Sequence, residues 1–170
     1  MTPAELAGLD REAFLAAFGD VFEHSPWVAE GAWKQAPFRS LDPLHAAMVQ
    51  VLRAAGEERQ LALIRAHPDL AGKAAIQGEL TSASTEEQAR SGLSSLTPEE
   101  FARFQELNDA YKARFGFPFI MAVRHSNKHA ILNGFEERLQ NPVEAEKERA
   151  LAEIGKIARF RLETLIVPPA

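Results

Sequence analysis

The chain has 170 residues, and its content of 46% hydrophobic and 25% charged residues is typical of a single globular domain. It contains no cysteine, which excludes disulfide bonds, thiolate metal sites and cysteine nucleophiles. The formal net charge is −5 and no Lys/Arg-rich run is present, so nucleic acid is not an expected partner.

The first half of the sequence predicts a series of helices, because helix-start signals recur along it. These signals are Thr2-Pro3, Asp10, Ser25-Pro26 and Asp42-Pro43. With Glu5 three residues later, the first of them is typical of a capping box that has proline at the first helical position. Gly56 is expected to end the fourth helix, and a short helix then stops before His67-Pro68.

The second half alternates irregular segments with longer helices. Residues 67–83 contain Pro68, two glycines and a Thr/Ser cluster, and we expect them to be irregular. Helices are then predicted from Ser84 to near Gly92, from Thr97-Pro98 to Gly116, from Ser126 to about Leu139, and over about 143–166. The stretch from Phe119 to Val123, which follows a proline, is expected to be extended.

No alternation typical of strands appears, so the sequence predicts an all-α fold. We expect one compact multi-helix bundle over residues 1–170, with irregular segments near 67–83 and 116–123, where functional sites tend to lie. No window approaches the ~20 apolar residues of a membrane span, and the N-terminus lacks the pattern of a signal peptide. The expected location is therefore cytoplasmic, without a membrane partner.

His67 is the first candidate for chemistry. Pro68 restricts the backbone of the residue before it to extended conformations, which orients the imidazole at the end of a helix. A histidine in that position can act as an acid or base near neutral pH. The alternative is a histidine that only satisfies a backbone carbonyl at the helix end.

Glu87 is the second candidate, and its position has two interpretations. Ser84 followed three residues later by Glu87 is typical of a capping box. The first-turn amides of the same helix also favour negative charge. A carboxylate or urea-like oxygen can be bound there by the backbone, with Gln88 adding an amide.

Arg161 is the third candidate, because it lies on an apolar stripe of the last helix. The residues that share its face are Ile154, Ile157, Ala158 and Leu165. A guanidinium in apolar surroundings needs an anion. That anion is either a structural carboxylate or the carboxylate of a substrate, which the arginine fork can bind with two hydrogen bonds.

Two other features have simpler interpretations. His125 and His129 have the i, i+4 spacing of half a metal site, but no HExxH motif or third ligand accompanies them, so no metal site is predicted. The Glu-rich stretch 144–153 is interpreted as a solvated helix face.

Four strings of residues give the sequence a family resemblance. They are HPDLAGK at 67–73, SxxEQxxxGL at 84–93, FGFPFI at 115–120 and EIxKIAxxRLxxLI at 153–166. In order and spacing they resemble the 2-oxo-4-hydroxy-4-carboxy-5-ureidoimidazoline (OHCU) decarboxylases, over nearly the whole chain. One small departure is Ser91, where members often carry alanine.

The resemblance implies an all-α homodimer that acts without a metal or an organic cofactor. The implied reaction is the third step from urate, a decarboxylation that yields (S)-allantoin. The family's catalytic positions fall on His67, Glu87 and Arg161, which should converge on one pocket. Its substrate-contact positions fall on Pro68, Ser84, Thr85, Glu86, Gln88, Phe119, Ile120, Met121, Ala122 and Val123.

Two alternatives remain open at the level of sequence. One is a non-enzymatic helical interaction module, because each candidate residue also has a purely structural interpretation. The other is a different cofactor-free lyase or mutase that acts on a carboxylated ring. Separation of the three candidates in space would favour the first alternative, and a product other than (S)-allantoin would favour the second.

Overall fold

The computed structural model describes residues 1–72 and 80–167, and within these ranges it contains helices and no strand. The helices are α1 (Pro3–Ala7), α2 (Arg11–Phe18), α3 (Trp27–Trp33), α4 (Leu41–Ala54), α5 (Glu57–Ala66), α6 (Ser82–Arg90), α7 (Pro98–Phe115), α8 (Lys128–Arg138) and α9 (Val143–Leu165). The predicted all-α class is therefore confirmed. Lys73, the last residue of the HPDLAGK string, and the rest of 73–79 lie outside the described residues.

The capping signals predicted some helix starts correctly and missed others. Reciprocal capping boxes open α1 at Thr2 and α7 at Thr97, and each has proline in the first turn. The predicted starts at Ser84 and Ser126 were wrong. The cap of α6 is Thr81, and the cap of α8 is Asn127, whose Oδ1 accepts the Ala130 N–H at 2.9 Å.

The capping box of α7 predicts a pH effect on stability. Lys128 and then the Thr97 backbone donate to the Glu100 carboxylate and lower its pKa below the ordinary value. Because the folded state lowers this pKa, Glu100 contributes stability above its unfolded pKa, and that contribution is lost as the pH falls through the folded pKa. We expect Glu100→Gln to be less stable than the parent at pH 7, and the difference to shrink toward about pH 3.

Urea unfolding at several pH values measures this effect, with the exposed neighbour Glu99→Gln as the control. A difference between Glu100→Gln and its parent that stays constant from neutral to acidic pH would contradict the linkage.

One compact unit comprises Met1–Ala66 and the chain from Gly155 onwards. Its aromatic core centres on Phe14, whose ring centroid lies 5.0 Å from that of Phe18 and 5.2 Å from that of Trp33. Helix α3 packs closely on α4, since a Cβ added at Gly31 would lie 2.7 Å from Val51 Cγ1. Leu165, predicted to share the apolar face of Arg161, is 37% exposed instead, whereas Leu162 and Ile166 on either side of it are buried.

The second unit comprises His67–Ile154. Its core surrounds the fully buried Tyr111 of α7, with the rings of Phe119 and Phe135 stacked at 3.8 Å. The interpretation of residues 144–153 as a solvated face was wrong in part, because Glu146 and Glu153 are 0% and 3% exposed. None of the helices in the described part of the chain has the length and apolarity needed to cross a membrane.

Candidate functional site

The loop that follows α5 carries the first predicted site residue. His67 is 8% exposed and is followed by Pro68 in a non-helical backbone. Ala71 has a φ of 54°, a left-handed conformation that non-glycine residues rarely adopt. Gly72 closes the turn, because a Cβ added there would lie 2.6 Å from Asp69 Cβ. The loop is therefore tightly turned, and its strain requires support from neighbouring groups.

Helix α6 provides part of that support through Gln88. Its Oε1 accepts the Ala71 N–H at 3.0 Å, and its Nε2 donates to the Asp69 carbonyl at 3.3 Å. The Asp69 carboxylate is held separately, since Lys112 Nζ lies 2.6 Å from its Oδ2. Gln88, predicted to contact substrate, thus uses both ends of its amide on the loop, although an amide nitrogen has a second N–H to donate.

Helix α7 holds the same loop with two further amides. Asn108 Nδ2 donates to the Leu70 carbonyl at 2.9 Å, and Gln105 Nε2 donates to the Ala71 carbonyl at 2.7 Å. Both peptide groups of Ala71 are consequently bound by side chains from different helices. This explains how a strained alanine persists in the loop.

Glu87 lies in the second turn of α6, so a capping box does not account for it. The helix begins at Ser82, and the Thr81 hydroxyl accepts the Ser84 N–H at 3.2 Å. The predicted box of Ser84 with Glu87 was wrong, because the threonine three residues earlier supplies the capping oxygen. Glu87 is half-buried and has no role in the cap.

The other predicted contacts on α6 differ in exposure. Ser84 is 5% exposed, whereas Thr85 and Glu86 are exposed. The Glu86 carboxylate lies 2.5 Å from Arg90 Nη2, one turn further along the helix. Of this group, Ser84 and Gln88 form the buried face of α6.

The predicted contact strip, residues 119–123, is non-helical, as expected. Arg138 Nη1 donates to the Ile120 carbonyl at 2.5 Å, and its guanidinium lies 4.4 Å from the centroid of the Phe119 ring. Glu153 Oε1 accepts the Ala122 N–H at 3.2 Å. The backbone of the strip is thus fixed by two charged side chains that lie almost wholly inside the protein.

The strip contains both core residues and partly exposed residues. Phe119, Ile120 and Val123 are buried, whereas Met121 and Ala122 are half-buried. Met121 and Ala122 are therefore the members of the strip with side-chain surface that a small molecule can reach.

Arg161 lies in the first unit and forms a buried ion pair. Its Nη2 lies 2.7 Å from Glu23 Oε1, and its Nη1 donates to the Val21 carbonyl at 3.0 Å. Arg161 and Glu23 are 8% and 1% exposed. Glu23 is therefore the structural carboxylate that was considered from the sequence as one possible partner of Arg161, and it orients the guanidinium.

The structure brings two predicted segments together within the second unit: the His67 loop and α6, joined through Gln88. The strip 119–123 belongs to this unit as well. Arg161 belongs to the first unit, and its convergence with His67 and Glu87 stays a prediction.

The two histidines near α8 do not share a helical face. His125 precedes the helix with a φ of 65°, and His129 lies in the first turn. Within residues 1–72 and 80–167, no group of three or more His, Asp or Glu side chains is arranged to hold a metal ion.

Sequence reasoning missed several residues that shape these segments. Glu23 gave no signal, because it lies outside any periodic element. Gln105 and Asn108 are polar positions beside the apolar stripe of α7, and that mixture was the available clue. Glu146 and Glu153 are seven residues apart on α9, a helical spacing that places both on one face.

Comparisons with known proteins identify the family. A sequence model of OHCU decarboxylase matches residues 7–163. The 2-oxo-4-hydroxy-4-carboxy-5-ureidoimidazoline decarboxylase of Halalkalicoccus jeotgali is 44% identical over 99% of this chain and 93% of its own length. The corresponding enzyme of Haloferax volcanii is 44% identical over 95% of this chain and 94% of its own length.

A solved structure agrees with the sequence matches. The crystal structure of an (S)-allantoin synthase superposes with a TM-score of 0.79 at 33% identity, covering 98% of this chain. This chain spans only 54% of that longer protein. With the family match over residues 7–163, these similarities show that the chain belongs to the OHCU decarboxylase family.

Proposed function

We propose that this protein decarboxylates 2-oxo-4-hydroxy-4-carboxy-5-ureidoimidazoline to (S)-allantoin, in the degradation of urate, without a metal or organic cofactor. The observation that carries the proposal is the family match over residues 7–163, together with relatives of that name matched over nearly their full length. The neighbouring (S)-allantoin synthase structure supports the identity of the product.

The chemistry of the substrate supports a reaction without a cofactor. One ring carbon carries both a carboxylate and a hydroxyl, beside a ring C=N. When the bond to the carboxylate breaks, CO₂ leaves and the electron pair moves into the C=N, so the substrate supplies the electron sink that a cofactor otherwise provides. The enol-like product is then protonated at carbon, and delivery of that proton to one face gives a single enantiomer.

Each candidate residue has a role in the proposed reaction that follows from its side-chain chemistry. His67 contacts the hydroxyl and carboxylate region and moves the proton. Glu87 holds the ureido or ring N–H groups, because an ionised carboxylate only accepts hydrogen bonds. The first-turn amides of α6 and the remaining N–H of Gln88 are donors, so they bind a carboxylate or urea-like oxygen of the substrate. Arg161 aligns an anionic or carbonyl oxygen. Pro68, Ser84 and the strip 119–123 complete the contacts in this proposal, with Met121 and Ala122 as the reachable side chains of the strip.

The decisive experiment generates the unstable substrate in place from urate and follows it by circular dichroism, with and without the protein. The proposal expects rapid appearance of optically active allantoin together with CO₂ release. Decay at the uncatalysed rate to racemic allantoin would overturn it. A homodimer and a cytoplasmic location belong to the same proposal, and sedimentation velocity tests the dimer.

The proposed role of Arg161 in aligning a substrate oxygen makes a specific prediction. Arg161→Lys keeps the charge but loses the planar fork, so we expect kcat/KM to fall by about 10- to 100-fold, the cost of one charged hydrogen bond. The matched control is Arg159→Lys on the same helix, a 40% exposed residue that pairs with Asp42. Its kcat/KM should stay within about twofold of the parent, because exposed ion pairs contribute little.

The ion pair with Glu23 gives Arg161 a structural role, which must be separated from its proposed contact with the substrate. Urea unfolding of the same variants measures that role. A variant that loses stability but keeps the parent kcat/KM in its folded fraction would show that Arg161 is structural only.

A further inference from the structure

Three side-chain amides converge on three consecutive residues of the loop that carries His67. Gln88 comes from α6, and Gln105 and Asn108 come from α7, one turn apart. Together they bind the carbonyls of Asp69, Leu70 and Ala71 and the N–H of Ala71, at 2.7–3.3 Å. We refer to these three side chains as the amide clamp.

The clamp holds a backbone conformation that the loop sequence does not favour by itself. Ala71 at a φ of 54° is disfavoured for any residue with a Cβ, and such conformations persist only where surrounding contacts determine them. Here the N–H of Ala71 is bound from α6 and its carbonyl from α7. Loss of either bond leaves the strained residue able to relax toward an ordinary conformation.

The burial of Asn108 argues for a role beyond filling space. It is 2% exposed beside the apolar core residues Phe104, Leu107 and Tyr111. In the described part of the chain its Oδ1 is buried without a hydrogen-bond partner, which is costly for an amide. An apolar side chain of the same shape avoids that cost but cannot donate to the Leu70 carbonyl, so the donor is the property that the position retains.

We propose that Gln105 and Asn108 are positioning residues for His67. They fix the carbonyls of Ala71 and Leu70, and only Pro68 and Asp69 separate Leu70 from His67 along the chain. Proline allows little backbone freedom, so the orientation of the loop is transmitted to the residue that precedes it. This inference rests on the proposed catalytic role of His67.

The test replaces each amide by an apolar side chain of similar shape: Gln105→Met and Asn108→Leu. We expect kcat to fall about 10- to 100-fold, the effect of displacing a catalytic group by about 1 Å, with KM within about threefold of the parent. The matched control is Gln60→Met, because Gln60 Nε2 also donates to backbone carbonyls, those of Leu52 and Arg53, at 3.1 and 3.2 Å. Its kcat should be unchanged.

A donor-retaining variant separates positioning from packing. Gln105 is half-buried, so Gln105→Lys can extend its ammonium group to the Ala71 carbonyl and should recover most of the kcat that Gln105→Met loses. In parallel, NMR follows the His67 imidazole nitrogens and the exchange rate of the Ala71 amide proton. Both should change in Gln105→Met and remain at their parent values in Gln60→Met.

The outcomes distinguish this inference from the proposed function. If the parent protein does not accelerate formation of (S)-allantoin, the proposed function fails, and the NMR measurements still test the clamp. If Gln105→Met keeps the parent kcat, or leaves the His67 signals and Ala71 exchange unchanged, the positioning role is overturned. Should Asn108→Leu not fold, Gln105→Met alone decides the question.

Discussion

Replacing His67 by asparagine is expected to lower kcat by about 10²- to 10⁴-fold or more. That range is the usual contribution of a positioned acid or base. Asparagine preserves a polar side chain of similar size at this 8% exposed position, so the helical fold should be retained. It cannot take up and release a proton near neutral pH, which is the property the reaction requires. The measurement is kcat with substrate freshly generated from urate, corrected for the uncatalysed decay.

The matched control for His67 is His129→Asn, since His129 is an exposed histidine in the first turn of α8. Its kcat should equal that of the parent. Far-UV circular dichroism of both variants verifies the fold. Full activity of His67→Asn would remove His67 from the proposed mechanism, whatever the effect at other positions.

The sequence predicted helix starts well where the residues that form the cap lie within one turn of each other. The helix starts at Thr2 and Thr97 were identified because threonine and proline act within one turn, and the structure has a capping box at each. The start of α6 was misplaced because Thr81 and Ser84 are both competent caps, and sequence alone does not rank two hydroxyls that lie three residues apart. The error affects the site, because one of the two interpretations of Glu87 was a place in that capping box.

The residues that escaped prediction are those defined by partners distant in sequence. Glu23 is buried because Arg161 lies 138 residues later and neutralises it. Glu146 is buried because Arg138, Tyr111 and Asn141 all donate to it, although each is an ordinary polar residue in its own helix or turn. Charged residues are mostly exposed, so the sequence alone favours a surface position for such carboxylates. Their burial becomes evident from their tertiary contacts.

The carboxylate of Glu146 is the centre of a buried network in the second unit. Its Oε1 accepts from Tyr111 Oη at 2.6 Å and Arg138 Nε at 2.7 Å, and its Oε2 accepts from Asn141 Nδ2 at 2.9 Å. Burial, and then the hydrogen bond to Glu146, raise the pKa of the Tyr111 hydroxyl above its ordinary value, so the hydroxyl remains a donor at neutral pH. The network therefore has one negative charge balancing the guanidinium of Arg138.

We expect Glu146→Gln to lower the free energy of unfolding by about 3–5 kcal/mol, because it leaves the buried guanidinium without its counter-charge while changing the shape of the side chain very little. Such a loss is a large part of the total stability of a typical domain, about 5–15 kcal/mol. Urea unfolding at neutral pH measures it. The matched control is Glu136→Gln, which breaks an exposed pair with Arg103 at 2.8 Å and should cost no more than about 1 kcal/mol.

Arg138, the partner of Glu146, also donates to the Ile120 carbonyl of the proposed contact strip. If Glu146→Gln is strongly destabilising, the double variant Arg138→Met/Glu146→Leu should be less destabilised than the sum of its two single variants, because removing both charges avoids an unpaired buried ion. Additive losses would mean that the pair does not interact as its 2.7 Å separation requires. Equal small losses in Glu146→Gln and Glu136→Gln would contradict the description of Glu146 as the buried counter-charge.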